Sequence, residues 1–222
     1  MSSCAYCGVT EGKLTRDHVI PSCLYPPSKY TSKVQRLTVP ACDRCNGSWA
    51  DDEPHFKSML ELAGDSNAVV KELFPITLRS FEKEDGERRL EDLYQQMKPI
   101  ATAEGQRNMV FLGDNHRVMR VVKKVIRGLS YHHRVLWPVS EEQVFADVLK
   151  YVVPQELLDI MQVQDRDKDV IEYRYGRHGI WNSMGIHSIW LLTFVRRTTF
   201  IGVVLTSEEG YPQDAAKEKE GI

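Results

Sequence analysis

The sequence predicts an α+β chain, with a small metal-stapled unit followed by helices and an antiparallel sheet. Three observations carry this reading. Two Cys-x2-Cys pairs, Cys4/Cys7 and Cys42/Cys45, bracket a segment of strand character. Residues 116–134 show the apolar spacing of a helix. Residues 186–195 and 199–205 read as apolar strands joined by a tight turn at Arg196-Arg197-Thr198. A chain of 222 residues can bury a real core, and 42% hydrophobic against 27% charged residues excludes wholesale disorder. A net charge of −2 argues against coating nucleic acid by bulk charge, but leaves room for a local basic face.

The longest apolar run, residues 189–195, falls far short of the roughly 18 residues that a membrane helix needs. The first residues lack the apolar core of a signal peptide. A cytoplasmic location with no membrane partner is therefore expected. In a reducing compartment, cysteines read as metal ligands or thiols before they read as disulfides. Two residues between cysteines let one turn aim both thiolates at a single ion, and two such knuckles supply the four ligands of a structural Zn²⁺. Gly8 and Asn46-Gly47 suit the knuckle turns. Cys23 stands alone as a plain thiol. The first 50 residues hold few large apolar side chains, so the ion should supply much of their stability.

Between the knuckles, Leu14 to Ile20 reads as a short strand ending at Pro21, with Asp17 and His18 pointing in different directions. Arg36 to Pro40 reads as a second strand that delivers Cys42, Cys45 and then Asn46 at the start of a helical stretch. The order CxxC, Asp17-His18-Val19-Ile20-Pro21, CxxC-Asn46 resembles the HNH endonucleases of the ββα-metal superfamily, and within them the zinc-knuckle type of phage recombination endonuclease VII. The resemblance covers about residues 4–60. It implies a fold of two strands and a helix around a metal, and phosphodiester hydrolysis leaving 5′-phosphate and 3′-hydroxyl ends. It makes Asp17 and Asn46 ligands of a catalytic Mg²⁺ or Mn²⁺, and His18 the general base. The chemistry is coherent, since hard cations take carboxylate and amide oxygens and imidazole accepts a proton near neutral pH. The chain departs from the family where an Asn usually precedes the second strand; Gln35, Arg36 or Leu37 stands there. His55 falls nine residues beyond Asn46, a spacing that some HNH proteins use for a last metal ligand; a solvated His near a helix start is the alternative.

Asp52 is expected to open a helix that holds Pro54 in its first turn and ends at Gly64, burying Trp49, Phe56, Met59, Leu60 and Ala63. This bounds a nuclease unit at 1–64. Residues 65–115 form a helical connector with helices over 65–74 and 87–97 and a turn at Lys83 to Gly86. Residues 116–206 form an α+β domain. Its first helix, opened by Asp114 or Asn115, buries Val118, Val122, Val125 and Leu129, and gathers Arg120, Lys123, Lys124 and Arg127 on another face. That face, with Arg36 and Arg44, is the candidate for contacting a phosphate backbone; a solvated face paired with nearby acids is the alternative. Helices are expected over 145–151 and 156–161, a strand over 171–175, and a disordered tail over 207–222.

The expected protein is a metal-dependent HNH endonuclease acting on DNA, with RNA possible, as a monomer or homodimer. The alternatives are a non-catalytic zinc-knuckle nucleic-acid-binding protein, an RNA-directed nuclease, and a redox protein using its CxxC pairs.

Overall fold

A computed structural model of the chain describes residues 3–30, 36–62, 67–101, 107–111, 115–167 and 169–206. The tail expected from residue 207 lies outside the described residues, as do Gln35, Ala63, Gly64 and Asp114. Strands β1 (Leu14–His18) and β2 (Thr38–Cys42) form an antiparallel hairpin, with Asp17 opposite Val39 and Leu14 opposite Cys42. A 3-10 turn (Ser22–Leu24) and a short helix α1 (Pro27–Tyr30) lie between them. Strand β1 ends two residues earlier than its sequence suggests. Val19 and Ile20 are turned into the core instead, and Val19 N donates to Leu37 O at 3.0 Å. Helix α2 (Asp43–Gly47) begins directly on the last residue of β2. Helix α3 (Asp52–Leu62) follows and buries Phe56, Met59 and Leu60, as its pattern requires.

The connector holds α4 (Ala68–Phe81), α5 (Gly86–Gln95) and a hairpin of β3 (Met97–Ala101) and β4 (Arg107–Phe111). The sequence predicts a helix that stops at Phe74, before Pro75, but α4 runs through it. Pro75 is exposed, while Val69, Val70, Leu73 and Thr77 keep one face buried on both sides of it. Asn67 caps the helix by accepting from Val70 N at 2.9 Å. Its amide donates to Asp169 O at 3.0 Å and Val195 O at 2.8 Å, tying α4 to the sheet.

Helix α6 (His116–His132) is opened by Asn115, whose side chain accepts from Arg117 N and Val118 N. Then come β5 (Val144–Val148), α7 (Gln155–Asp159), β6 (Gln162–Asp167), β7 (Ile171–Gly176), α8 (Gly179–Ser183), β8 (Ile186–Phe194) and β9 (Thr198–Leu205). The strands make one antiparallel sheet in the order β5-β9-β8-β7-β6. Of residues 145–151, expected as a helix, 145–148 instead belong to edge strand β5 and 149–151 follow it outside any helix or strand. Val144 is buried and its neighbour Phe145 exposed, the alternation of a strand, and β9 provides the partner backbone. The β8–β9 connection is the three residues 195–197 between the paired Phe194 and Thr198, with Val195 and Arg196 at φ of 48° and 59°. Among the described residues, no helix is long and apolar enough to cross a membrane.

One buried cluster runs from Cys4 and Tyr6 through α3 and α6 to Trp190, Phe194 and Val204. Helix α6 is its spine, packed against the N-terminal unit on one side and the sheet on the other. The close approach on the sheet side depends on Gly202, where a Cβ would lie 2.1 Å from Ile126 Cδ1. Gly202→Ala is expected to cost about 1–3 kcal/mol through overpacking. Adding Ile126→Val, which deletes that methyl, should restore part of the loss. Urea midpoints of the wild type, the two single variants and the double variant check this.

Candidate functional site

The first knuckle is a tight loop: Cys4 N donates to Val9 O and Gly8 N to Cys4 O, both at 2.9 Å, with Gly8 at φ 75°. The second knuckle is built by secondary structure, with Cys42 ending β2 and Cys45 inside α2. Ala5 N donates to Pro40 O at 2.8 Å and docks the first knuckle onto β2. Arg127, from α6, donates to Tyr6 O at 2.7 Å and to Val139 O at 2.8 Å, and Trp137 Nε1 donates to Cys4 O. The four Sγ atoms of Cys4, Cys7, Cys42 and Cys45 lie within 4.8 Å of one another, and Cys7 and Cys42 are 3.8 Å apart. Zn–S bonds of about 2.3 Å in a tetrahedron give separations near 3.8 Å. The cluster therefore fits a structural zinc ion.

Cys4 is biased toward the thiolate form. Burial works to raise Cys4, but main-chain hydrogen bonds from Cys42, Cys7 and Tyr6 outweigh it and bring its pKa down to about 7. Burial and the neighbouring thiols push Cys45 up. A metal must therefore displace protons to bind there, and affinity falls as pH falls. Cys23 stands apart: burial pushes its pKa up to about 12, and its Sγ contacts Glu53 O at 3.6 Å.

The hairpin sends Asp17 and His18 to opposite faces, as the sequence predicts. Asp17 is buried, and its Oδ2 accepts from the Tyr6 hydroxyl and from the Lys124 ammonium at 3.1 Å. Lys124 Nζ also donates to Glu53 Oε1 at 2.7 Å and to His18 O at 2.6 Å. The Trp49 ring lies 5.6 Å from the ammonium and 4.8 Å from the Tyr6 ring. Asn46 sits on the same side of β1 but turns its amide to Thr15 Oγ1 at 2.9 Å. Asp17, as it stands, does not fit a divalent cation. The Asp17 side chain is only 8% exposed, whereas Mg²⁺ keeps several of its waters, and Oδ2 is engaged twice.

His18 is half-buried on the outer face, and its Nδ1 has no hydrogen-bond partner among the described residues. Burial first, and then the Arg36 guanidinium, hold its pKa below the ordinary imidazole range. Arg16 lies on the same face and donates to Thr38 Oγ1 at 3.1 Å. Arg36 packs over the Tyr25 ring at 5.0 Å, and Arg44 is exposed on α2. His55 is not near the zinc cluster: its Nε2 meets Gln96 Oε1 at 3.0 Å and its Nδ1 lies 3.4 Å from Arg117 Nη1.

The basic face expected on α6 turns inward in large part. Lys124 and Arg127 are buried, and Arg120 pairs with Asp52. Arg117 donates to the same carboxylate at 3.0 Å. Lys123 Nζ reaches Glu141 O at 3.5 Å. Arg117, Arg120, Lys124 and Arg127 clamp the N-terminal unit to α6. Sequence reasoning missed Tyr6, Asp52 and Glu53 as their partners. Only the acid run at 51–53, read there as helix-terminus charge, hinted at it.

Buried His55 and half-buried His187 set an acid limit. Burial first, and then Arg117 for His55 and Arg177 for His187, hold both below the ordinary imidazole range. The unfolded chain therefore binds more protons than the folded one as pH falls below about 6.5, and stability drops through that window. Thermal melts at pH 7.5 and 5.5 should show it, and His55→Gln should flatten the difference.

No family model, curated protein or solved structure matches the chain.

Proposed function

We propose that the chain is an HNH-type endonuclease that hydrolyses phosphodiester bonds of DNA. The observation that supports this best is the frame around His18. A four-thiolate cluster flanks the β1–β2 hairpin and α2, with half-buried His18 on the face of β1 opposite Asp17 and Asn46 directly after the last cysteine. His18, held neutral by burial and Arg36, takes the proton of the attacking water. Arg16 and Arg36, at the same face, offer positive charge to the phosphate. The resemblance also implies Mg²⁺ or Mn²⁺ on Asp17 and Asn46. Asp17 does not fit such an ion, so each step here uses the chain's own residues. Exposed Lys13, Arg16 and Arg44 on the hairpin and α2, rather than the α6 stripe, are the cations available to a nucleic-acid backbone.

The second reading is a zinc-stabilised nucleic-acid-binding protein without catalysis. The burial of Asp17 against Lys124 favours it. One experiment separates the two: incubation with supercoiled plasmid, branched DNA, single-stranded DNA and RNA, with and without Mn²⁺. His18→Ala, with zinc content unchanged, is expected to slow cleavage by about 10²–10⁴-fold. Equal cleavage by both proteins rules out the mechanism. Binding without cleavage by either selects the second reading, and preferential RNA cleavage reassigns the substrate.

A further inference from the structure

We infer that the cation resident on Asp17 is the Lys124 ammonium, and that no divalent ion binds at that carboxylate. The inference rests on the proposed nuclease site only in identifying Asp17 as the place where such an ion would be expected.

An ammonium has three N–H donors. Three oxygens meet Lys124 Nζ at hydrogen-bond distance: His18 O at 2.6 Å, Glu53 Oε1 at 2.7 Å and Asp17 Oδ2 at 3.1 Å. They come from the end of β1, from α3 and again from β1, so the cage is assembled by tertiary structure around the cation. The Lys124 side chain is 0% exposed, and the Asp17 side chain is 8% exposed. The remaining neighbours complete an enclosure. The Tyr6 hydroxyl donates to the oxygen that Lys124 holds, and the Trp49 ring lies 5.6 Å from the ammonium. A buried lysine is retained only when its charge is paired and its donors are met, and both conditions hold here.

A divalent ion on the same carboxylate would stand a few ångströms from this ammonium with little water between them. Like charges that close repel strongly where solvent is excluded. The ion would also have to shed waters that Mg²⁺ and Mn²⁺ normally keep. Lys124 thus balances the charge of Asp17 and fixes the main chain at His18. The four cysteines are then the residues of this unit that fit a metal ion.

The test uses zinc-loaded full-length protein, labelled with ¹⁵N and titrated with Mn²⁺ while amide signals are followed for paramagnetic broadening. The inference expects the amides of residues 15–19 and of Asn46 to keep their intensity relative to the rest of the chain at equimolar Mn²⁺. Broadening confined to exposed acidic segments elsewhere agrees with it. Selective loss of the signals of Asp17, His18 and Asn46 at substoichiometric Mn²⁺ overturns it. The cleavage assay keeps the two claims separate. His18-dependent cleavage together with broadening at Asp17 retains the nuclease and removes the inference. No cleavage under any condition removes the nuclease, while the Mn²⁺ titration still decides the inference.

Discussion

Cys42→Ser is expected to abolish zinc binding and to unfold much of the N-terminal unit. Elemental analysis should fall from one zinc per chain to a small fraction of that. The melting temperature should drop steeply, and limited proteolysis should open the chain within residues 3–62. The reason is the scarcity of other stabilisation there. Structural zinc contributes about 10–16 kcal/mol of apparent binding free energy in zinc-finger peptides, which rivals the entire stability of an ordinary domain. The hairpin has only two strands, and a two-stranded hairpin is marginal by itself in water. The lesion should spread, because Tyr6 and Cys4 accept hydrogen bonds from Arg127 and Trp137. A variant that keeps its melting temperature after losing zinc would show that the core, not the metal, holds this unit.

Lys124→Met is expected to cost about 3–5 kcal/mol, the usual result of removing one partner of a buried ion pair. Methionine keeps much of the stem volume, so the loss reports the charge rather than a cavity. It leaves Asp17 facing an apolar side chain and Glu53 without its closest partner. Adding Asp17→Asn should recover part of the loss, because an amide is less costly to bury than an unpaired carboxylate. Guanidinium midpoints for the four corners of this cycle give the coupling directly. Additive losses would mean that the pair contributes nothing, and that the cage is a by-product of packing.

The two variants probe the parts of the chain that were most and least legible. The cysteine cluster was legible because CxxC spacing is a local constraint: two residues decide where both thiolates point. Helix α6 was legible for the same reason, since Val118, Val122, Val125 and Leu129 fall on one face at the helical period. The separation of Asp17 from His18 follows from the two-residue period of a strand. Where local patterns were weak, the reading failed. Residues 145–151 carry enough helix-forming residues to suggest a helix, but β9 supplied a ladder that overrode propensity. The mostly polar β6 and the β3–β4 hairpin carried no alternation strong enough to announce them.

The destination of the charges was the hardest part to read. Arg120, Lys123, Lys124 and Arg127 form a positive stripe in the sequence, and a stripe of that kind suggests a phosphate backbone; in the fold Arg117, Arg120, Lys124 and Arg127 are the cations that find partners in the N-terminal unit. Their partners, Asp52, Glu53, Asp17 and the Tyr6 carbonyl, lie 65 to 121 residues away in sequence. No local rule connects groups at that separation.

The sequence by itself determined the four-cysteine cluster, the hairpin beside it, the amphipathic character of α6 and the opposite facing of Asp17 and His18. Each is set by spacing within a few residues, where backbone geometry leaves little choice. Tertiary structure decided what those residues meet. It placed α6 between the zinc unit and the sheet, turned its cations inward and gave Asp17 an ammonium as its partner. The physical reason is that burying α6 forces each cation it carries inward to find an oxygen, and only the folded chain determines which oxygens are within reach.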